Sequence, residues 1–260
     1  MERREVTPSE LDFESKGRRD YWVVLSTSTG TFYRIPLTVL VGPSAQEGKG
    51  LVAFGGNHGD ESEGPLAIKN ILGELDPVEV LGRMIMVPVL NVAAFSVGTR
   101  ESTADDGLNL NRMFDPLDSL QGPRDTITHR IAAFVRECIW PYVHIVIDVH
   151  SGGDVMRTAL EVSYTPSENI VNNAEREQIA RWSGAPDDKS GLLIDDAARQ
   201  GKMSFGSELG WGGTSDPDGV RYARYCVIAA AVHHGQISAS IEPIDYHADG
   251  TQRLISGWAL

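Results

Sequence analysis

Cysteine is nearly absent from this 260-residue chain: there are two, Cys138 and Cys226, and they form no C-x-x-C pair. That excludes a zinc ribbon and a disulfide scaffold, and a reducing cytoplasm is the expected location. Basic residues are scarce as well. Lys and Arg number 23 against 36 Asp and Glu, a formal net charge of -13. A nucleic-acid binder needs a basic footprint and so does a protein drawn to anionic lipid, so neither nucleic acid nor membrane is an expected partner. Long apolar runs are also missing. Nothing approaches the roughly 18 residues of a membrane helix, and "MERREVTPSELDFESKGRRD" is charged where a signal peptide would be apolar. What remains is 41% hydrophobic and 23% charged, the make-up of one soluble domain, or of one domain with a small appendage.

The order of elements is informative. Residues 1–20 are polar and are expected to form a flexible tail. "YWVVLSTSTGTFYRIPLTVLVG" (21–42) reads as β-structure around a turn at Thr27–Thr31. Strand and helix then alternate. Strands are predicted over 51–56, 83–91, 143–150 and 159–166, with a short one in 203–213. Helices are predicted over 65–75 (Leu66, Ile71 and Leu75 among its apolar positions), 126–140, 167–184 and 216–237. The main α/β domain so delimited spans 21–238, and 239–260 turns strand-like again. Near-continuous apolar strands alternating with helices imply an α/β fold, with a mostly parallel mixed sheet covered by helices on both faces.

In such sheets ligands sit beyond the carboxyl ends of the strands. The residues there are His58 and Glu61, then Asn91 onward, then His150, then the loop around Glu208. Within "GGNHGDESEG" (55–64), His58 and Glu61 are three apart in one tight turn. His150 ends the apolar run "VHIVIDVH". Two histidines and one carboxylate, with a fourth position left for water, is the ligand set of a hydrolytic zinc site. Either half alone is a common accident; the two at the ends of strands that can be neighbours are not. Asp148, two residues before His150, either orients a ligand histidine or is a plain polar strand end. Asp60 and Glu63 read as local hydrogen-bonding and helix-start residues.

Hydrolysis also needs a general base, and Glu208 in "SFGSELGWGG" is the candidate, held on a short strand among glycines. The long irregular stretch 91–116 carries Arg100, Asn111 and Arg112. A guanidinium there could fork onto a substrate carboxylate or stabilise an oxyanion. Equally, it could form a surface ion pair with Glu101, Asp105 or Asp106, and spacing alone leaves both readings open.

Taken in order, "GGNHGDESEGP", "NVAAFSVGTR", "LNLNRMF", "DVHSGG" and "SELG" resemble the succinylglutamate desuccinylase/aspartoacylase family, of zinc carboxypeptidase-like fold. The likeness covers roughly residues 50–235. "GGNHGDE", "GTR" and "NLNR" most resemble the branch that deacetylates N-acetyl-diaminobutyrate in ectoine breakdown. The resemblance implies one Zn²⁺ per chain on His58, Glu61 and His150. It implies Glu208 as base and proton shuttle and Arg100 as polariser of the amide carbonyl. Asn111 and Arg112 would hold the substrate carboxylate. The implied activity is deacylation of a small N-acyl amino acid by a linear-amide hydrolase, and a homo-oligomer is compatible with it. The alternatives are a zinc carboxypeptidase acting on short peptides and a metal-binding relative without turnover. Family members usually carry a C-terminal β-rich domain; here the sequence stops soon after "SIEPIDYHADG", so little or none of that domain is expected.

Overall fold

The structure, a computed structural model, describes residues 2–114, 125–154, 156, 161–164, 192–210 and 214–238. Its strands are β1 (Arg4–Val6), β2 (Gly17–Ser26), β3 (Phe32–Val41), β4 (Gly50–Phe54), β5 (Arg83–Val87), β6 (Val143–His150), β7 (Glu161–Tyr164) and β8 (Met203–Glu208). The helices are α1 (Glu63–Glu74), α2 (Val92–Phe95), α3 (Ile127–Phe134), α4 (Leu193–Arg199) and α5 (Pro217–His233). All eight strands join one sheet in the order β1-β2-β3-β5-β4-β6-β8-β7. The block β5-β4-β6-β8 is parallel, while β2-β3, β3-β5 and β8-β7 pair antiparallel.

Central strands are apolar on both sides because both faces are covered. Along β4, Val52 and Phe54 enter the core shared with α3 and α4. Leu51 and Ala53 enter the other core, shared with α1 and α5. Phe54 meets Trp140 edge-on, with ring centroids 6.1 Å apart. On β6 the same alternation sends Ile145, Ile147 and Val149 to the α1/α5 side. Asp148 and His150 therefore fall on the α3/α4 side. Met203 and Phe205 pack toward α1/α5, so Glu208 shares the α3/α4 side as well. The parallel register sets His150 directly beside Glu208.

Several boundaries differ from the sequence reading for physical reasons. Residues 1–20 are not a loose tail as a whole: β1 pairs parallel with β2, which itself begins at Gly17. Val6 and Phe13 are buried, and Phe13 stacks on Tyr142 at 4.5 Å. Charged residues on an edge strand discourage further pairing, and here they hid it in the sequence. The strand over 83–91 ends at Val87, because Pro88 has no N–H for a ladder. α1 begins earlier than expected, at Glu63, and buries Ala67, Ile68, Ile71 and Leu72, leaving Leu66 and Leu75 half-buried. After Phe134 the helix widens into a π-turn (Val135–Ile139) and ends in a 3-10 turn at Trp140–Tyr142. The seven-residue α4 was not anticipated. The helix expected over 167–184 and the strand-like stretch 239–260 lie outside the described residues.

Candidate active site

The turn after β4 is built against the exit of β5. Gly55 N–H donates to Val87 O (3.0 Å), Leu90 N–H to Gly55 O (2.9 Å), and Asn91 N–H to Gly56 O (2.8 Å). Gly59 N–H donates to Thr99 O (2.9 Å), and a Cβ at Gly59 would run into the backbone of Ala94. The packing therefore requires glycine there, and it fixes His58 and Glu61 deep in the edge of the sheet, each 2% exposed.

Three groups converge. His58 Nδ1 lies 2.7 Å from Glu61 Oε1, and His150 Nδ1 lies 2.8 Å from Glu61 Oε2. Ser151 N–H also donates to Glu61 Oε2, at 3.1 Å. The far ring nitrogens are spoken for. His58 Nε2 is 3.2 Å from Asn109 Oδ1, which also accepts from Asn111 N–H. A carbonyl oxygen only accepts, so Nε2 is a donor in this contact. His150 Nε2 is 2.8 Å from Asp148 Oδ2, which accepts in turn from Asn57 Nδ2 at 2.8 Å. Both Nδ1 atoms are thereby aimed at the two oxygens of one carboxylate. One ligand atom from each of His58, Glu61 and His150 falls within 4.8 Å of the others, and all three residues are buried. Two imidazole nitrogens and a carboxylate oxygen, with their outer partners in place, fit a single metal ion.

The electrostatics agree. Burial alone would raise the Glu61 carboxyl, yet the charge and hydrogen bonds of His150 and His58 outweigh it and hold the group well below the carboxylate range. Burial would lower His150, but Asp148 and Glu61 on either side push it well above its ordinary value. Without a metal, the lowered Glu61 and the raised His150 form a carboxylate–imidazolium pair where a metal cation would sit.

Glu208 is half-buried beside His150. Burial pushes its carboxyl up to about 7, with His150 and Arg100 opposing and Glu61 and Asp148 adding to the rise. Among the described residues Arg100 pairs with none of Glu101, Asp105 and Asp106; its Nη1 turns inward and donates to Glu61 Oε1 at 3.2 Å. Asp106 is used otherwise, accepting from Thr128 N–H and Oγ1 at the start of α3. Together with the bond from Ser102 Oγ to Asn91 Oδ1 (3.1 Å), this pins the long loop that presents Arg100. Asn111 is buried, its Oδ1 accepting from Leu193 N–H (2.9 Å), which leaves its amide NH₂ toward His150. Arg112 Nη1 donates to Asn111 O (2.8 Å).

All the expected site residues except Glu61 line one cavity of about 70 Å³, with Leu192 and Ile194 as its apolar wall. Asp148 takes the orienting position rather than being a plain strand end. Sequence reasoning missed Asn57 and Asn109, although each stands beside a residue it did select, His58 and Asn111. It also missed the wall at the start of α4.

An α/β sheet with a buried His–Glu–His group at its carboxyl edge, arranged as a metal site would be, defines a carboxypeptidase-like α/β protein. The comparisons with known proteins narrow this. Residues 47–233 match the succinylglutamate desuccinylase/aspartoacylase catalytic domain, and the chain belongs to that hydrolase family. It is 32% identical over 250 residues to the N-alpha-acetyl-L-2,4-diaminobutyric acid deacetylase of Halomonas elongata, covering 90% of this chain and 69% of that protein. The crystal structure of a succinylglutamate desuccinylase/aspartoacylase from Rhodobacter sphaeroides superposes with a TM-score of 0.76 at 30% identity, over 90% of this chain and 70% of the other. A product-bound ectoine utilization protein from Ruegeria pomeroyi gives 0.76 at 26%, over 90% and 72%. Among the described residues no helix is long and apolar enough to cross a membrane.

Proposed function

We propose that this protein is a zinc-dependent amidohydrolase that removes the acyl group from a small N-acyl amino acid or a related carboxylate-bearing amide. The observation that carries the reading is the register of β6 and β8. It sets Glu208 beside His150, and so beside the metal group, in a cavity that Arg100 and Arg112 also line. His58, Glu61 and His150 would hold the zinc ion, which supplies Lewis acidity and an acidified water.

The chain's own residues do the rest. Glu208, with a carboxyl near neutrality, accepts a proton from the attacking water and returns it to the departing amine nitrogen. Arg100, anchored on Glu61, polarises the amide carbonyl and stabilises the charge that develops on its oxygen. Arg112 and the Asn111 amide NH₂ hold the substrate carboxylate, which the acidic surface of the rest of the chain would otherwise repel. The similarity to a protein named for acetyl removal makes acetyl the first acyl group to try.

The test combines elemental analysis with a panel of N-acyl amino acids and short peptides. One zinc per chain and turnover of the acyl amino acids are expected; cleavage of peptides alone would overturn the reading in favour of a carboxypeptidase. Glu208→Gln should keep its zinc while kcat falls by roughly 10²–10⁴-fold, the usual worth of a general base. Undiminished turnover in that variant would remove Glu208 from the mechanism.

A further inference from the structure

Two residues beyond the metal-binding carboxylate Glu61 stands a second acidic side chain that the reaction does not use. Glu63 is 2% exposed and lies in the first turn of α1. It is not part of the cavity lining. Its Oε1 accepts from the backbone N–H of Asp216 at 3.0 Å. Asp216 is the N-cap of α5, so the carboxylate also sits at the positive end of a helix of 17 residues, where a negative charge is favoured. Gly210, at φ 83°, closes the other side: a Cβ there would stand 3.0 Å from Glu63 Oε1 and 2.9 Å from Asp216 Cβ. At Gly219 a Cβ would stand 3.1 Å from Glu63 Cγ. Next to Glu63, Ser62 Oγ and Ser215 Oγ are 2.8 Å apart.

These contacts share one target. The β6–β8 ladder ends at the pair His150–Glu208. Just past it, Leu209 N–H donates to His150 O (3.0 Å) and Gly152 N–H donates to Gly210 O (3.2 Å). Glu63 takes hold of the Asp216 N–H, and it packs against Gly210, two residues past Glu208. We infer that Glu63 is a positioning residue: its buried carboxylate holds both Gly210 and the N-cap of α5 at the start of α1, and so fixes where the Glu208 carboxylate stands relative to the metal ligands. The inference rests on the reading of Glu208 as the base. One short stretch of α1 would then serve two purposes, with Glu61 facing the ion and Glu63 holding the strand end that carries the base.

A general base displaced by about 1 Å loses on the order of 10²-fold in rate, and substrate affinity need not change with it. Glu63→Ala removes the acceptor, whereas Glu63→Gln keeps a carbonyl oxygen that can take the Asp216 N–H. The experiment uses the full zinc-loaded chain as wild type, Glu63→Ala and Glu63→Gln. It measures zinc content, kcat and KM on an N-acetyl amino acid, and hydrogen exchange of the amides at 209–210 and 214–216. In Glu63→Ala, zinc stays at one per chain, kcat falls by roughly 10–100-fold with KM nearly unchanged, and those amides exchange about tenfold faster or more. Glu63→Gln restores both readings toward wild type.

Unaltered exchange in Glu63→Ala overturns the clasp, and unaltered kcat overturns the positioning role. A Gln variant as impaired as the Ala variant overturns the hydrogen-bond account. Should wild type turn over no N-acyl amino acid, it is the proposed function that fails, and the exchange measurement still decides the clasp. If Glu63→Ala does not fold, Gly210→Ala presses on the clasp from its other side, and the same loss of kcat at constant KM is expected.

Discussion

Two buried carboxylates in this molecule look alike until their donors are compared. Glu61 is 2% exposed and Asp196 is 4% exposed. Each gathers several partners. Asp196 accepts from Arg136 Nε (3.0 Å) and Nη2 (3.1 Å) and from Trp140 Nε1 (2.9 Å), with Arg199 Nη2 at 3.5 Å. Those donors keep their protons at every working pH, so this charge is permanently matched. It ties α4 to the turns after α3, and thereby seats the Leu192–Ile194 wall of the cavity. Glu61 is held mainly by two imidazole nitrogens, whose protons can leave and whose lone pairs can then bind a metal. Burial of a carboxylate therefore does not mark a site; partners that can exchange a proton for a cation do.

The largest expected contrast comes from removing each carboxylate in turn. Glu61→Gln should weaken metal binding by more than about 100-fold, beyond the 10–100-fold typical of losing an outer partner, and turnover should go with it. Asp196→Ala should keep one metal per chain. It removes the counter-charge of two partly exposed arginines and the acceptor of a buried indole N–H, at a cost of about 2–4 kcal/mol, or roughly a 5–15 °C lower melting temperature for a chain of this size. Metal analysis and thermal unfolding on both variants decide the matter. Loss of metal in Asp196→Ala at an unchanged melting temperature would break the distinction.

pH separates the two more gently. In the metal-free chain Glu61 is depressed, so its contribution to stability is present above its unfolded value of about 4.3 and is lost as pH falls through the folded value. His150 is raised, so its contribution is full below about 6.5 and is lost as pH climbs through the folded value. Stability of the metal-free protein should therefore be greatest between those two limits and should decline on the alkaline side. Added zinc should reverse the alkaline trend, because metal binding competes with the Nδ1 proton and strengthens as pH rises. Melting curves from pH 4 to 9, with chelator and with zinc, read both directions. An alkaline decline that persists with zinc bound would mean the imidazole protons are not what the metal replaces.

How much of this could be read before folding follows the same physics. That His58, Glu61, His150 and Glu208 gather at one edge of the sheet was legible because each ends, or follows within one turn, an apolar run that forms a buried strand. Asn57 and Asn109 were not. Their roles consist of contacts with Asp148 and His58 that cross 91 and 51 residues of sequence, and an asparagine in a loop has nothing local to announce that. The central parallel strands were clear from continuous apolar runs. β1 was not, since an edge strand of Arg4, Glu5 and Val6 buries only one of its three residues. Seven-residue α4 has too little periodicity to stand out, and its position depends on Asp196 finding Arg136 sixty residues away.

The smallest expected effect belongs to a third carboxylate, which completes the series. Glu74 is 56% exposed on its side chain and accepts from Arg224 Nε at 2.9 Å, bridging α1 and α5. Its partner is as permanent a cation as those of Asp196, so donor type alone would predict a similar role. Water makes the difference: an exposed pair gives up little solvation on separating, and salt screens what attraction remains. Glu74→Ala should change stability by no more than about 0.2–1 kcal/mol, leave metal content and turnover at wild type, and lose even that increment in high salt. The salt dependence is the informative part. If Asp196→Ala keeps its full deficit at high ionic strength while Glu74→Ala loses its own, burial sets the magnitude of an ion pair here, and the chemistry of the donor sets whether it can become a site.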